Sequence, residues 1–281
     1  MKIRKGWYAL FTVPLMSIFV IVVIIPFIIG IGYSFVEWDG FAKHAATFVG
    51  LRNYAEVFRD QRFINAALRT TVFTAIAVLS VNFFGLVFSL IVTTKLKARN
   101  IVRTMLFVPY LIGGLILGYI WKSVFSEFFL SIGWGNWLTD PVKALAAMII
   151  VTTWQLAGYV MIVYITGLMA IPDDVIEAAE VDGASYFQTL FQIRFPLLMP
   201  SFTICLFLAL SNCFKVYDVN ISLTGAGPSY QSEMFSLNIY NEIFEQSNFG
   251  YGQAKAIIFF LIIAVVTLLQ VRATKKREVS L

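Results

Sequence analysis

The chain has 281 residues, of which 59% are hydrophobic and 13% charged, with a formal net charge of +5. A soluble domain of this length carries about a quarter charged residues, so the composition excludes that class and marks an integral membrane protein. The cations gather at the ends of apolar runs, as insertion polarity demands, which argues for membrane orientation and against a nucleic-acid surface.

Lys2, Arg4 and Lys5 precede an apolar run over 7–33. It is longer than a signal peptide and has no small-residue cleavage site, so it reads as a first span, with Trp7, Tyr8 and Tyr33 as interface anchors and Pro14 and Pro26 as points of bending. Residues 34–65 turn polar and aromatic, with a short amphipathic helix expected near 54–59. His44, the single histidine, reads as a solvated loop residue with no carboxylate or cysteine neighbour. The second span is expected at 66–94. Lys95, Lys97, Arg99 and Arg103 follow it at once and mark an inside loop.

The third span is expected at 104–124, with Pro109 early and Gly114-x-x-x-Gly118 in its middle, a spacing that lets another helix approach closely. Gly113 and Gly118 have the outer spacing of a phosphate loop, but Tyr119 and Ile120 stand where Lys and Ser/Thr are needed, so no nucleotide is expected here. A tryptophan-bearing loop over 125–142 leads to a fourth span at 143–170, where Gln155 and Tyr159 share a face and Trp154 is adjacent.

The next connection, 172–196, is where acidic residues gather. Pro172 closes the preceding helix. Asp174 with Glu177 and Ser185 with Gln188 have capping spacing, which predicts two short helices hinged at Gly183. Helices this short are marginal alone, so a chain that caps both points to an outside surface on which they dock.

The fifth span is expected at 197–219. Ser211, Asn212, Lys215 and Asp218 fall at near three-residue steps along one drifting face, and polar groups there should face protein or a water-filled path. Cys205 and Cys213 read as small buried hydrophobes. After a loop over 220–250, the sixth span is expected at 251–271 and ends in Arg272, Lys275, Lys276 and Arg277. The basic bias favours six spans with both termini in the cytoplasm. The fold class is therefore all-α and polytopic, one membrane domain over 1–281.

Glu177-Ala178-Ala179, then Asp182-Gly183-Ala184, then Ile193, Pro196 and Pro200 resemble the coupling motif of binding-protein-dependent ABC importer permeases. Phe48-Val49-Gly50-Leu51-Arg52-Asn53-Tyr54, Phe214 to Asp218, Leu223 to Pro228 and Gly250 to Ala254 resemble the carbohydrate-uptake branch, the maltose, multiple-sugar and glycerol-phosphate permeases, in their first-named partner. The resemblance implies a type I importer permease fold and a heterodimer with a second homologous permease. It also implies two ATPase subunits that bind ATP and Mg, and an extracytoplasmic binding protein that delivers a sugar. This chain then has no cofactor, metal or catalytic residue of its own and sits in the bacterial or archaeal inner membrane, surrounded by lipid. The coupling residues implied are Glu177, Ala178, Ala179, Asp182 and Gly183, with the alanines and Gly183 keeping the docking face thin.

For the substrate path the polar and aromatic candidates are Trp154, Gln155, Tyr159, Ser211, Asn212 and Lys215, set against simple packing and a Lys215–Asp218 pair. Two rival functions stay open at this point: the same transporter class carrying a phosphorylated polyol or another solute, and an ion-coupled secondary carrier using Lys215 and Asp218. A membrane enzyme has no histidine within a span, no metal-ligand cluster and no nucleophile beside a base.

Overall fold

The computed structural model describes residues 5–41, 43–94 and 98–278, with side chains from residue 10 onward. The expected anchors Trp7 and Tyr8 and the basic residues Lys2, Arg4, Lys5, Lys95 and Lys97 lie outside the described side chains. Among the described residues, four helices are long and apolar enough to cross a membrane alone: Leu10–Tyr33, Gln61–Thr93, Pro141–Met169 and Phe249–Lys275. Two bent pairs, Arg99–Leu111 with Gly114–Ser131 and Tyr186–Leu197 with Met199–Phe214, raise the count to six if each is one span. The packing groups the residues into two units, Met1–Phe63 with Ile239–Leu261 and Ile64–Asn238 with Ile262–Leu281.

In the first unit, Pro14 and Pro26 are accommodated without a break. The helix passes from Lys5–Phe19 through one wide π turn, Val20–Ile24, into Ile25–Tyr33. The span Leu10–Tyr33 is essentially uncovered by the chain itself, as expected of a helix apolar on every side that faces lipid or another subunit. A two-residue hairpin pairs Val36 with Phe48 and Glu37 with Thr47. The buried Asn53, on the short helix Arg52–Val57, donates from Nδ2 to the carbonyls of Ser34 and Val36 at 2.9 Å each.

The same unit holds a charge cluster that no sequence spacing announces. Lys255 has no exposed surface, and its Nζ lies 2.7 Å from both Asp60 Oδ2 and Glu242 Oε2. Asn248 Nδ2 donates to Glu242 Oε1 at 2.7 Å, and the Lys255 ammonium sits 4.7 Å from the Tyr251 ring centroid. Asp60 Oδ1 accepts from the amides of Arg62 and Phe63, so this carboxylate also closes the free amides at the start of the Gln61–Thr93 helix. His44 is exposed as expected, yet it is not solitary. Its Nδ1 contacts Asp39 Oδ2, and that hydrogen bond holds the Asp39 carboxyl below its ordinary value.

The second unit carries the core, centred on Phe73, Leu117, Met148, Val160, Tyr164 and Leu223. Tyr164, fully buried, donates to Asn82 Oδ1 at 2.8 Å, so the one large polar group in that core is satisfied. Small residues mark the helix crossings. A Cβ on Gly118 would run into Ser222, and one on Gly158 into the Leu106 carbonyl, which bears out close approach at Gly114-x-x-x-Gly118.

Two expected spans are not straight rods. The third stops at Leu111, two residues beyond Pro109, whose ring removes a helical amide donor. Ile112 and Gly113 are extended (ψ 126° and 137°), and the Gly114–Ser131 segment leaves at 96° to the Arg99–Leu111 helix. Gly114 therefore opens a helix instead of lying mid-span. The fifth helix, Met199–Phe214, ends five residues short of the expected 219, with Lys215 at its C-cap, and Asn220–Thr224 forms a wide turn closed by Gly225 in the left-handed region (φ 55°). Ser211, Asn212, Lys215 and Asp218 consequently do not share one helix face.

Candidate functional site

Between Pro141–Met169 and Met199–Phe214 the chain forms the helix Asp173–Val181, a turn, and a second helical stretch that begins at Tyr186. Pro172 is the N-cap and offers no side-chain bond, so the expected Asp174–Glu177 cap is not made. Asp173 and Asp174 instead occupy the first turn, where carboxylates favour the positive end of the helix dipole. The second cap forms as expected. Ser185 Oγ accepts from the Gln188 amide at 3.4 Å, while Gln188 Oε1 accepts from the Ser185 amide at 2.7 Å.

Gly183 makes the hinge. Its φ is +77°, the Gly183 amide donates to Glu180 C=O and the Ala184 amide donates to Ala179 C=O, the paired pattern that closes a helix on a left-handed glycine. Nothing lies within 4 Å of a Cβ added there, so the chain itself leaves this side open. Glu177, Ala178 and Asp182 are exposed, whereas Ala179 is buried at 7% exposure. Ala179 thus packs against the chain itself, while its expected docking neighbours Glu177, Ala178, Asp182 and Gly183 are exposed.

The outward surface has two characters. Asp173, Asp174, Glu177, Glu180 and Asp182 are all exposed, and no Lys, Arg or His interrupts 173–193. Beside them Val181, Tyr186 and Phe187 are exposed at 87%, 59% and 68%. These apolar groups were not among the expected docking residues. Their signal is present as aromatic residues directly after a helix N-cap in a connection that is otherwise polar.

The second candidate is a cavity of about 250 Å³ lined by Tyr110, Thr152, Gln155, Asn212, Lys215 and Asp218, among others. It lies at the break after Leu111 and at the C-terminal end of the Met199–Phe214 helix. Gln155 Nε2 donates to the Ile112 carbonyl at 3.1 Å, capping an acceptor that the extended turn frees. Asn212 Nδ2 donates to Leu208 C=O at 2.8 Å. Tyr159 reaches the cavity only through Tyr110, on which it stacks with ring centroids 4.4 Å apart. Trp154 lines a different, apolar cleft with Phe84, Met105 and Ile150 and makes an edge contact with Trp121. Ser211 does not line the cavity.

Lys215 and Asp218 both face the cavity, yet they form no ion pair with each other, so the expected alternative of a self-neutralising pair is not what the structure holds. Thr152 and Tyr110 were missed. Thr152 belongs with Gln155, Leu156 and Tyr159 to one i, i+3, i+4, i+7 face, a pattern that was there to be read. Tyr110 joins them only because the chain turns two residues later.

Residues 85–279 match the family described as the binding-protein-dependent transport system inner membrane component. The chain is 44% identical over 282 residues, 98% of this chain and 96% of the relative, to a probable starch degradation products transport system permease protein, AmyD, of Thermoanaerobacterium thermosulfurigenes. It is 30% identical, over 99% of this chain and 98% of the relative, to the multiple sugar-binding transport system permease protein MsmF of Streptococcus mutans. The fold is that of a chain in the crystal structure of a bacterial ABC transporter involved in the import of the acidic polysaccharide alginate (TM-score 0.80, 21% identical, covering 97% of this chain and 96% of that one). With the family match spanning more than half its length and a relative this similar end to end, the chain belongs to the inner-membrane components of binding-protein-dependent transport systems.

Proposed function

We propose that this protein is a transmembrane subunit of an ATP-driven importer that moves oligosaccharides of the starch-breakdown type into the cytoplasm. The 44% identity to the starch-product permease along 98% of the chain carries the reading. It is supported by a polar cavity beside the break after Leu111 and the end of the Met199–Phe214 helix, and by a hinged helix pair, acidic in its first member, whose glycine hinge is open on one side. In this reading the subunit pairs with a second permease, and the Asp173–Gln188 segment docks through Glu177, Ala178, Asp182 and the Gly183 hinge on an ATPase subunit that binds ATP and Mg. Both termini and the docking segment are cytoplasmic. A solute-binding protein delivers the sugar on the opposite side, and closure of the ATPases tilts the spans around the cavity.

The cavity supplies what a sugar needs at that point. Tyr110 offers an aromatic face, and Thr152, Gln155, Asn212 and Lys215 offer hydrogen-bonding groups, a few convergent polar groups in a largely preformed site. The test is reconstitution of the chain with its companion permease, ATPases and binding protein in proteoliposomes. ATP-dependent accumulation of labelled maltotriose, absent without the ATPases, is the expected result. Uptake that persists without any nucleotide-hydrolysing subunit would sink the reading.

A further inference from the structure

Beside the Tyr186–Leu197 segment two cavities of opposite character adjoin. The first, of about 410 Å³, is lined by Thr93, Thr94, Asp173, Ile176, Tyr186 and Arg194, among others. The second, of about 280 Å³, is lined by Phe83, Val87, Phe191 and Leu198, among others, and every residue around it is aliphatic or aromatic except Arg194. The two share Leu90, Leu168 and Arg194. Arg194 therefore stands where polar space gives way to apolar space.

The order of the lining follows a lipid leaflet. On the Gln61–Thr93 helix the groove runs from Phe83 and Val87 to Thr93 at the helix end, a rise of roughly 15 Å at 1.5 Å per residue. Its apolar part lies toward the middle of the span and its polar part at the terminus. Phe83 and Phe191 are exposed at 62% and 63%, so the apolar part opens outward, where the bilayer is.

Arg194 is half-buried and makes no ion pair among the described residues. A cation against apolar walls calls for a charge partner, and the fork of a guanidinium matches the oxygens of a phosphodiester. Asp173 lines only the polar cavity and is exposed, so this carboxylate stands on the rim, beyond the arginine. From its apolar end outward the groove presents hydrocarbon, a cation and an anion. The complement is an acyl chain, a phosphate and an ammonium, in that order.

We propose that the groove is a phospholipid site, in which one acyl chain lies along Phe83 to Leu90, Arg194 holds the phosphodiester and Asp173 meets a primary ammonium on the headgroup. A lipid seated there touches the ends of the Gln61–Thr93 and Pro141–Met169 helices and the hinged segment at once, and so ties that segment to the membrane. The inference rests on the chain's place in a membrane and holds whatever the cargo.

The test takes the full chain in detergent, stripped of lipid, and titrates it with phosphatidylethanolamine, phosphatidylglycerol and phosphatidylcholine of identical acyl chains, bound lipid being counted by native mass spectrometry. The ethanolamine lipid should bind about threefold more tightly than the other two, the scale of one exposed ion pair, since glycerol brings no cation and choline no N–H. Arg194→Gln should weaken all three by about fivefold, the scale of one interfacial cation. Asp173→Asn should erase the preference for ethanolamine over glycerol while binding persists. Lys143→Gln, at the opposite end of the Pro141–Met169 helix, should change nothing. Glycerophosphoethanolamine, a headgroup without tails, should bind at least about tenfold more weakly than the lipid.

Unchanged lipid affinity in Arg194→Gln, or glycerol and ethanolamine headgroups bound alike by the wild type, overturns the site. A loss in Lys143→Gln as large as that in Arg194→Gln overturns it too, as the mark of a non-specific cationic surface. Tailless headgroup bound as tightly as lipid would remove the acyl chain from the groove. No adduct on the lone chain, with Arg194 shielded from phenylglyoxal only once the ATPases are assembled, would hand the groove to that partner instead.

Discussion

Asp173, Asp174, Glu177, Glu180 and Asp182 lie along ten residues with every one of them exposed, while Asp60 and Glu242 close around a lysine that has no exposed surface at all. The first group makes no ion pair among the described residues. The second is paired, hydrogen-bonded and stacked on Tyr251. The same functional group is thus put to two uses. Solvated carboxylates cost the fold little and remain available to a partner, whereas buried ones are tolerable only when their charge is matched in place. Substitutions in the buried cluster should therefore act on stability, and substitutions in the open segment should act on transport.

Lys255→Met breaks that contrast most severely. It leaves the buried Glu242 and the half-buried Asp60 beside an apolar side chain, and removal of one partner from a buried ion pair costs about 3–5 kcal/mol. The purified protein in detergent should unfold at a clearly lower temperature and accumulate poorly in membranes. A melting temperature equal to the wild type would show that the cluster is far better solvated than its burial says.

Gly183→Asp tests the open side. The left-handed backbone (φ +77°) costs a non-glycine residue about 1–2 kcal/mol, but no atom within 4 Å opposes the new side chain. The protein should therefore insert at normal levels, hydrolyse ATP in the assembled complex and fail to accumulate sugar. Gly183→Asn, which tolerates this conformation better, sharpens the result by separating strain from the added charge. Normal uptake with Gly183→Asp would remove the docking role from the hinge.

Ser185→Ala is expected to act locally and weakly. The cap it removes is one long bond of 3.4 Å, with the reciprocal 2.7 Å bond from the Ser185 amide retained, so the loss should sit near about 0.5 kcal/mol, the low end for a cap. Amide exchange confined to residues 185–191 would rise, with no change in global unfolding.

The open segment was legible because its information is local. Pro172, Gly183 and the Ser185–Gln188 spacing each act within a few residues, and the predicted hinge and second cap form. The first cap failed because Pro172 takes the N-cap position and leaves Asp174 two positions inward, within the first turn. The buried cluster was illegible because it joins residues 60, 242 and 255, whose proximity only the folded chain creates. The polar cavity falls between these cases. Gln155, Asn212 and Lys215 were legible as polar residues in apolar runs; Trp154 was grouped with them as the neighbour of Gln155, and on the unbroken Pro141–Met169 helix that one-residue step turns it to another, apolar cleft. The break that follows Pro109 and the end of the helix at Phe214 are what unbroken spans did not anticipate, and they bring Tyr110 and Asp218 to the cavity.

The smallest expected effect comes from acid, and it probes the buried cluster through Asp60 without any change of side-chain volume. Burial pushes the Asp60 carboxyl up, but the hydrogen bond and charge of Lys255, with the Phe63 and Arg62 amides, hold it below its ordinary 3.8. A carboxyl whose folded value is depressed contributes its full stability above the unfolded value and loses it as the pH falls through the lower folded one. The melting temperature of the wild type should accordingly exceed that of Asp60→Asn by a constant margin at neutral pH. That margin should shrink once the pH drops below 3.8. A margin for Asp60 that stayed constant through the acid range would mean that Lys255 is held by Glu242 alone, and the first unit would then owe its closure to one carboxylate instead of two.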